Sequence, residues 1–219
     1  MDVSDTVGPV MIGPSSPHTA GAARTGRYAL NILGTEPVRA DIYFSSSFAK
    51  TYKGHGIDKA IVAGILGMDT DDPGIKYSFD TAEHRGLEFY FHTCEIENSH
   101  PNTAFVVLTS ETGRKVEVQG ASIGGGNIII TKINGTPVEI TGKFTTMIVL
   151  HKNIPGMISD VTSVLAKYGI NIGRFDLRRN PRGGRGVMII ELDSDLPEHI
   201  NDEIKAMDNV IDSTLLKAI

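Results

Sequence analysis

The feature that most narrows the folds open to this chain is a change of rhythm at Thr141-Gly142-Lys143. Beyond it, strand and helix signals alternate at short intervals. Thr146 to His151 reads as a strand, and Met157, Ile158, Val161, Val164, Leu165 and Tyr168 recur on one helical face. Gly169 closes that helix, Ile172 to Arg178 is a strand, and Asn180-Pro181 with Gly183-Gly184 marks a turn before the returning strand Val187 to Leu192. A further helix carries Ile200, Ile204 and Met207, and Val210 to Lys217 is a last strand. The order is βαββαβ, a split βαβ arrangement. The chain therefore divides into residues 1–142 and 143–219, and 219 residues with 40% hydrophobic content can support two small domains.

The first domain has a different pattern. Ser16 and Pro17 resemble an N-cap followed by proline at the first helical position, opening a helix from about Pro17 to Leu33. Its face of Ala20, Ala22, Ala23 and Gly26 is small enough for a ligand or another backbone to approach closely, and packing within the domain explains it equally well. Val38, Ala40, Ile42 and Phe44 then alternate with Arg39, Asp41 and Tyr43, as in a half-buried strand. After Lys53-Gly54-His55-Gly56, Ile57, Ala60, Ile61, Gly64 and Ile65 recur at helical spacing, with Asp58 suited to the positive end of the helix dipole. A helical stretch around Ile75 to Arg85 ends at Gly86, and Leu87, Phe89 and Phe91 alternate as a strand. Short strands fill Thr103 to Ile140, punctuated by Thr112-Gly113, Gly124-Gly125-Gly126 and Asn134-Gly135. The expected class is α+β, with a mixed α/β first domain and antiparallel strands late in it.

Charge and cysteine content restrict the function. A net charge of -5 lacks the basic surface that nucleic acids or anionic membranes require. The N-terminus lacks a basic region followed by an apolar core, and nowhere do about 18 uncharged apolar residues run together, so a cytoplasmic location is expected. With Cys94 as its one cysteine the chain cannot form an internal disulfide, a cysteine-rich zinc site or a cluster needing several thiolates. Any such metal group belongs mainly to another chain.

The C-terminal segment resembles the ACT domain, a ferredoxin-like ligand-sensing module, through His151-Lys152-Asn153-Ile154-Pro155-Gly156 and Gly169-Ile170-Asn171-Ile172. Pro155 fixes φ in a strand-to-helix loop, and Gly156 leaves backbone amides exposed where a carboxylate can dock. The same loop can serve only to turn the chain. The resemblance implies an amino-acid effector, L-serine or a relative, at Asn153, Gly156 and Asn171, and self-association through this domain.

Four polar, glycine-rich loops interrupt the apolar periodicity of the first domain. They are Gly13-Pro14-Ser15-Ser16-Pro17-His18-Thr19, Gly54-His55-Gly56-Ile57-Asp58, His100-Pro101-Asn102-Thr103 and Ser122-Ile123-Gly124-Gly125-Gly126. Taken in this order they resemble the beta subunit of iron–sulfur-dependent L-serine dehydratases (L-serine ammonia-lyases), over essentially the whole chain. The first domain is also similar to the allosteric substrate-binding domain of some 3-phosphoglycerate dehydrogenases. The family reads Gly-Pro-Ser-Ser-Ser-His-Thr at the first loop, whereas Pro17 stands here at the third serine position, so one hydroxyl is missing and that position is assigned no role.

The resemblance implies α,β-elimination of L-serine to pyruvate and ammonia by a complex in which an alpha subunit holds a [4Fe-4S] cluster. This chain alone would be inactive. Hydroxide is a poor leaving group that needs a Lewis acid, and the α-proton needs a positioned base. On that reading His55 takes the α-proton or manages the leaving hydroxyl, with Asp58 orienting it or merely capping a helix, and His18 and His100 are further proton-transfer or hydrogen-bonding groups. Ser15, Ser16, Thr19 and Asn102 would hold the substrate's polar ends, and amides of Gly124, Gly125 and Gly126 would approach its carboxylate. Two rivals remain. A pyridoxal-phosphate enzyme performs the same net reaction, but apart from Lys53 before Gly-His-Gly no lysine motif stands out. A non-catalytic serine sensor explains the ACT-like segment but explains the three loop histidines less well.

Overall fold

A computed structural model describes residues 17–97, 99–179 and 184–218. The chain forms two compact units, Met1–Thr141 and Gly142–Ile219.

In the first unit, helix α1 (Pro17–Leu33) precedes strand β1 (Pro37–Ser45), and helices α2 (Ser46–Thr51), α3 (Ile57–Ile65) and α4 (Ser78–His84) lead to β2 (Glu88–Cys94). Strands β3 (Thr103–Ser110), β4 (Lys115–Gly124), β5 (Asn127–Ile133) and β6 (Thr136–Ile140) follow as a meander. The six-stranded sheet has the order β2-β1-β3-β4-β5-β6. Strands β1 and β2 are parallel, and a parallel pair needs a long crossover, which the intervening helices supply. Ala40, Ile42 and Phe44 are buried, as their alternation predicts. Val38 is not. A register shift between Pro37 and Arg39 breaks the period-two pattern there and leaves Val38 41% exposed. The stretch expected as one helix from Ile75 to Arg85 is a 3₁₀ turn, Pro73–Tyr77, followed by α4; the Asp72 carboxylate accepts the Gly74 amide and Pro73 opens the turn.

The small face of α1 is used for close packing. A Cβ on Gly21 would collide with Ser122, one on Gly26 with the Ile61 carbonyl, and one on Gly64 of α3 with the Ala23 carbonyl. A Cβ on Gly120 would lie 2.8 Å from the Thr25 methyl. Glycine at these positions lets α1 lie almost backbone to backbone against α3 on one side and β4 on the other.

In the second unit, β7 (Thr145–Lys152), α5 (Met157–Lys167), β8 (Ile172–Arg179), β9 (Arg185–Leu192), α6 (Glu198–Lys205) and β10 (Val210–Leu216) form a sheet of order β10-β7-β9-β8. Every neighbouring pair is antiparallel. Met147, Val149, Met188, Ile190 and Leu192 of the sheet pack with Val161 and Leu165 of α5 and Ile200 and Ile204 of α6. This is a large-side-chain core of the usual kind. Of the turn expected between β8 and β9, Asn180, Pro181 and Gly183 lie outside the described residues, and Gly184 has a left-handed φ of 99°.

Candidate active site and effector loop

Strand direction brings the loops of the first unit to one end of its sheet. The C-terminal ends of β1, β2 and β4 and the N-terminal end of β3 all lie there. Pro17 is the first residue of α1, where its missing N–H costs nothing, and His18 and Thr19 follow in the first turn. Ser15 and Ser16 lie outside the described residues.

His18 is the hub of the cluster. Its Nδ1 lies 3.2 Å from the Asn102 side-chain amide and 3.3 Å from the Ser122 hydroxyl. An amide N–H only donates, so Nδ1 accepts and the neutral ring carries its proton on Nε2. Phe48 meets the His18 ring edge to face at a centroid distance of 6.3 Å. His100 is set by similar logic. Its Nδ1 accepts the backbone N–H of Asn102 at 3.1 Å, and its carbonyl accepts the Thr103 hydroxyl at 2.7 Å. The Ser122 amide donates to the Asn102 carbonyl at 3.1 Å and the Ser47 amide to the Pro101 carbonyl at 3.0 Å, so β4 and α2 hold the His100-Pro101-Asn102 loop between them.

The Gly54-His55-Gly56 loop is tied to the same place. The buried Thr19 hydroxyl donates to the His55 carbonyl at 3.1 Å. Gly56 takes a left-handed φ of 68° before α3. The His55 side chain is exposed, and among the described residues its ring makes no hydrogen bond. Asp58 does not orient it: its carboxylate accepts the Lys59 amide at 2.8 Å, in the first turn of α3. Burial pushes the Asp58 carboxyl above the usual range for an aspartate.

Gly124, Gly125 and Gly126 all have left-handed φ, at 95°, 59° and 76°. Gly124 pairs with Asn127, so Gly125 and Gly126 form a two-residue hairpin turn in which positive φ is required at both positions. The triplet therefore has a structural reason of its own. The Arg24 guanidinium donates to the Gly126 carbonyl at 2.8 Å and clasps this turn to α1.

In the second unit the β7–α5 loop holds the expected effector positions. Gly156 precedes α5 with φ 96°, and the Asn153 amide donates to the Gly184 carbonyl at 3.2 Å. The Asn171 side-chain amide is already engaged, donating to the Asp193 carboxylate. Asp160 occupies the first turn of α5 and partly meets the helix dipole that an anion would meet. Beside the loop lies His151, 2% exposed. Its Nδ1 donates to the Lys152 carbonyl at 2.7 Å, which leaves Nε2 as an acceptor with no hydrogen-bond partner among the described residues. A Cβ on Gly186 opposite would come within 2.6 Å of that nitrogen.

The sequence does not single out the Ser122 hydroxyl, Phe48 or Arg24, and gives the His151 imidazole no role. Ser122 and His151 sit inside noticed motifs and are overshadowed by their glycines. The other two lie within regular helices, where periodicity accounts for a residue without saying what it faces.

The two units define a class of protein, a mixed α/β domain joined to an ACT domain. The ACT domain family matches residues 145–209, and the serine dehydratase beta chain family matches residues 6–85. The chain is 44% identical to the "Probable L-serine dehydratase, beta chain" of Bacillus subtilis, over 97% of this chain and 96% of that one. It is 37% identical to the "L-serine dehydratase, beta chain" of Peptoniphilus asaccharolyticus, covering 91% and 90%. A D-3-phosphoglycerate dehydrogenase of Methanocaldococcus jannaschii is 25% identical over 94% of this chain and 38% of its own length. This chain belongs to the family of L-serine dehydratase beta chains.

Proposed function

We propose that this chain is the beta subunit of a two-chain L-serine dehydratase and contributes His18, His55 and His100 to a site completed by an alpha subunit. The observation that carries the reading is the hydrogen-bonded convergence of His18, Asn102, Ser122 and His100 at one end of the sheet. A packed fold has no structural need to collect two imidazoles, a carboxamide and a hydroxyl there.

The hydrogen bonds sort the roles. His18 and His100 each accept a bond at Nδ1, which puts the proton of the neutral ring on Nε2; the Nε2–H of His100 suits a substrate carboxylate or a departing hydroxyl oxygen, and His18 sits beside it as a second imidazole. The His55 ring keeps a lone pair available and is the base for the α-proton. Asp58, whose carboxyl pKa burial raises, accepts the Lys59 amide in the first turn of α3 and is not a direct partner of His55. Thr19 positions the His55 loop through its carbonyl, while Asn102 orients His18. The amides of Gly124 to Gly126 add polar lining, and Ser15 and Ser16, outside the described residues, are assigned to the substrate's polar ends by family resemblance alone. Loss of the α-proton and the β-hydroxyl gives aminoacrylate, which hydrolyses to pyruvate and ammonia.

The [4Fe-4S] cluster that this family implies does not fit this chain. Cys94 is its one cysteine, and among the described residues no three His, Cys, Asp or Glu side chains lie together as a metal site would need. A cluster on the alpha subunit would act as the Lewis acid for the hydroxyl. None of the helices among the described residues is long and apolar enough to cross a membrane.

The ACT domain is an effector site for L-serine or a related amino acid, with Asn153, Gly156 and Asn171 at its loop. The Nε2 of His151, which has no hydrogen-bond partner among the described residues, lends support, because such a nitrogen is costly to bury; it is packed against Gly186, so a ligand donor reaches it only with a shift of that strand. An ammonium group is a donor of the right kind. Asn171 would have to exchange its bond to Asp193 for one to the ligand.

The deciding experiment is anaerobic co-expression with the alpha chain, followed by cluster quantitation and a pyruvate assay with each chain omitted. Activity that disappears on omitting either chain is the expected result. A cluster-loaded alpha chain that is fully active alone would replace this reading with a serine-sensing subunit.

A further inference from the structure

We propose that Arg24 is the carboxylate-recognition residue of the candidate active site, holding the α-carboxylate of the amino-acid substrate against the Gly124–Gly126 turn. The proposal rests on the composite-site reading above and adds the group that recognises one end of the substrate.

Three observations carry it. Arg24 is half-buried, and its one hydrogen bond among the described residues goes to a neutral acceptor, the Gly126 carbonyl. Arg27, Arg39, Arg85, Arg174 and Arg178 each have a carboxylate: Asp69, Asp41, Glu36, and Asp176 for the last two. Arg24 has none among the described residues, and burial lowers its pKa with nothing offsetting the shift. A half-buried cation without an anion is a costly arrangement that a bound carboxylate would relieve.

The second observation is position. Side chains on a helix lean toward its N-terminus, so an arginine six residues after His18 reaches back toward the end of α1 that carries His18 and Thr19. The bond to Gly126 agrees with that direction, since Gly126 lies beyond Ser122, which touches His18. The third is geometry. A guanidinium has five N–H donors in a planar fork, and the bond to Gly126 fixes its orientation while leaving donors for a carboxylate. Among the described residues no atom beyond its own chain neighbours lies within 4 Å of where a Cβ on Gly124 would stand, so on their side the turn has open space beside it.

The test uses the assembled two-chain complex carrying Arg24→Met and Arg24→Lys. It is assayed with L-serine and inhibited by L-serinamide, which keeps every group of the substrate except the carboxylate. Loss of a charged partner predicts a KM for L-serine about a hundredfold higher in Arg24→Met, an intermediate rise in Arg24→Lys, and kcat changed about tenfold or less. Inhibition by L-serinamide should be unchanged across the three proteins. An unchanged KM, or a parallel loss of L-serine and L-serinamide binding, would overturn the proposal.

A second readout is independent of turnover and of how well Arg24→Met folds. In ¹⁵N-arginine-labelled complex, the Nε–H signal of Arg24, identified by its absence from Arg24→Lys, should move with saturating L-serine and stay in place with L-serinamide. Failure to move with L-serine refutes carboxylate recognition. If the wild-type complex makes no pyruvate, the composite-site reading falls, and the Arg24 signal still decides this proposal.

Discussion

The two units of this chain place polar loops at one end of a sheet, yet they hold their helices by opposite means. In the ACT unit, α5 and α6 cover the sheet with Met157, Val161, Leu165, Ile200 and Ile204, so helix and sheet stand a full side chain apart. In the first unit, Gly21, Gly26, Gly64 and Gly120 remove that spacer, and α1 meets α3 and β4 nearly backbone to backbone. The difference bears on function. A helix held by large side chains can shift as rotamers repack, whereas one locked by backbone contact has a single seat. The first turn of α1 carries His18 and Thr19, so the locked helix fixes groups of the proposed site. Helix α5, seated by large side chains, borders the β7–α5 loop.

The comparison can be broken most sharply at the two buried or loop imidazoles. His55→Ala in the assembled enzyme should cost about 10²–10⁴-fold in turnover with complex formation intact, the range for a lost general base. His151→Ala should leave basal turnover unaltered and abolish any response to an amino-acid effector. Equal effects of the two on turnover would erase the division of labour between the units.

Next come the two packing modes. Leu165 is fully buried in the ACT core, and Leu165→Ala should lower stability by about 2–5 kcal/mol, read as faster amide exchange in β7 to β10. Gly64→Ala should cost about 1–3 kcal/mol, because the Ala23 carbonyl occupies the space of the new methyl, and should speed exchange in α1 and α3. If Gly64→Ala melts like the wild type, close approach is not what seats α1.

The smallest effect is electrostatic. Burial raises the folded pKa of Asp58 above its unfolded value, so the ionised form is disfavoured by folding. That cost is fully present above the folded pKa and vanishes below the unfolded value of about 4. Asp58→Asn keeps an oxygen for the Lys59 amide, so it should melt higher than wild type at neutral pH, with the difference closing as pH falls. A constant difference across pH would mean that ionisation of Asp58 is not its cause.

Much of the fold could be read from the sequence. Helix α1 begins at Pro17 and ends at Leu33, and the six ACT elements follow in the anticipated order, because their hydrophobic periods are clear and glycine or proline marks several of their ends. What failed did so for local physical reasons. A bulge after Pro37 takes Val38 off the buried face, and Asp72 with Pro73 starts a 3₁₀ turn before α4. Helix α2, six residues long, is too short to show a period. In the candidate site, composition marked the loops, while the partners of each imidazole stayed hidden.

The sequence alone was enough for most of the elements, for the lack of thiolates to hold a cluster and for the polar loops, since each of these depends on residues near one another in the chain or on a simple count. The tertiary structure showed that the small face of α1 is filled by backbone, that Asp58 accepts the Lys59 amide, that Asn102 sets the tautomer of His18, and that among the described residues Arg24 has no carboxylate and His151 Nε2 no hydrogen-bond partner. Those outcomes join residues up to a hundred positions apart. Hydrogen-bond direction and burial are properties of neighbours in space, and periodicity along the chain carries no record of them.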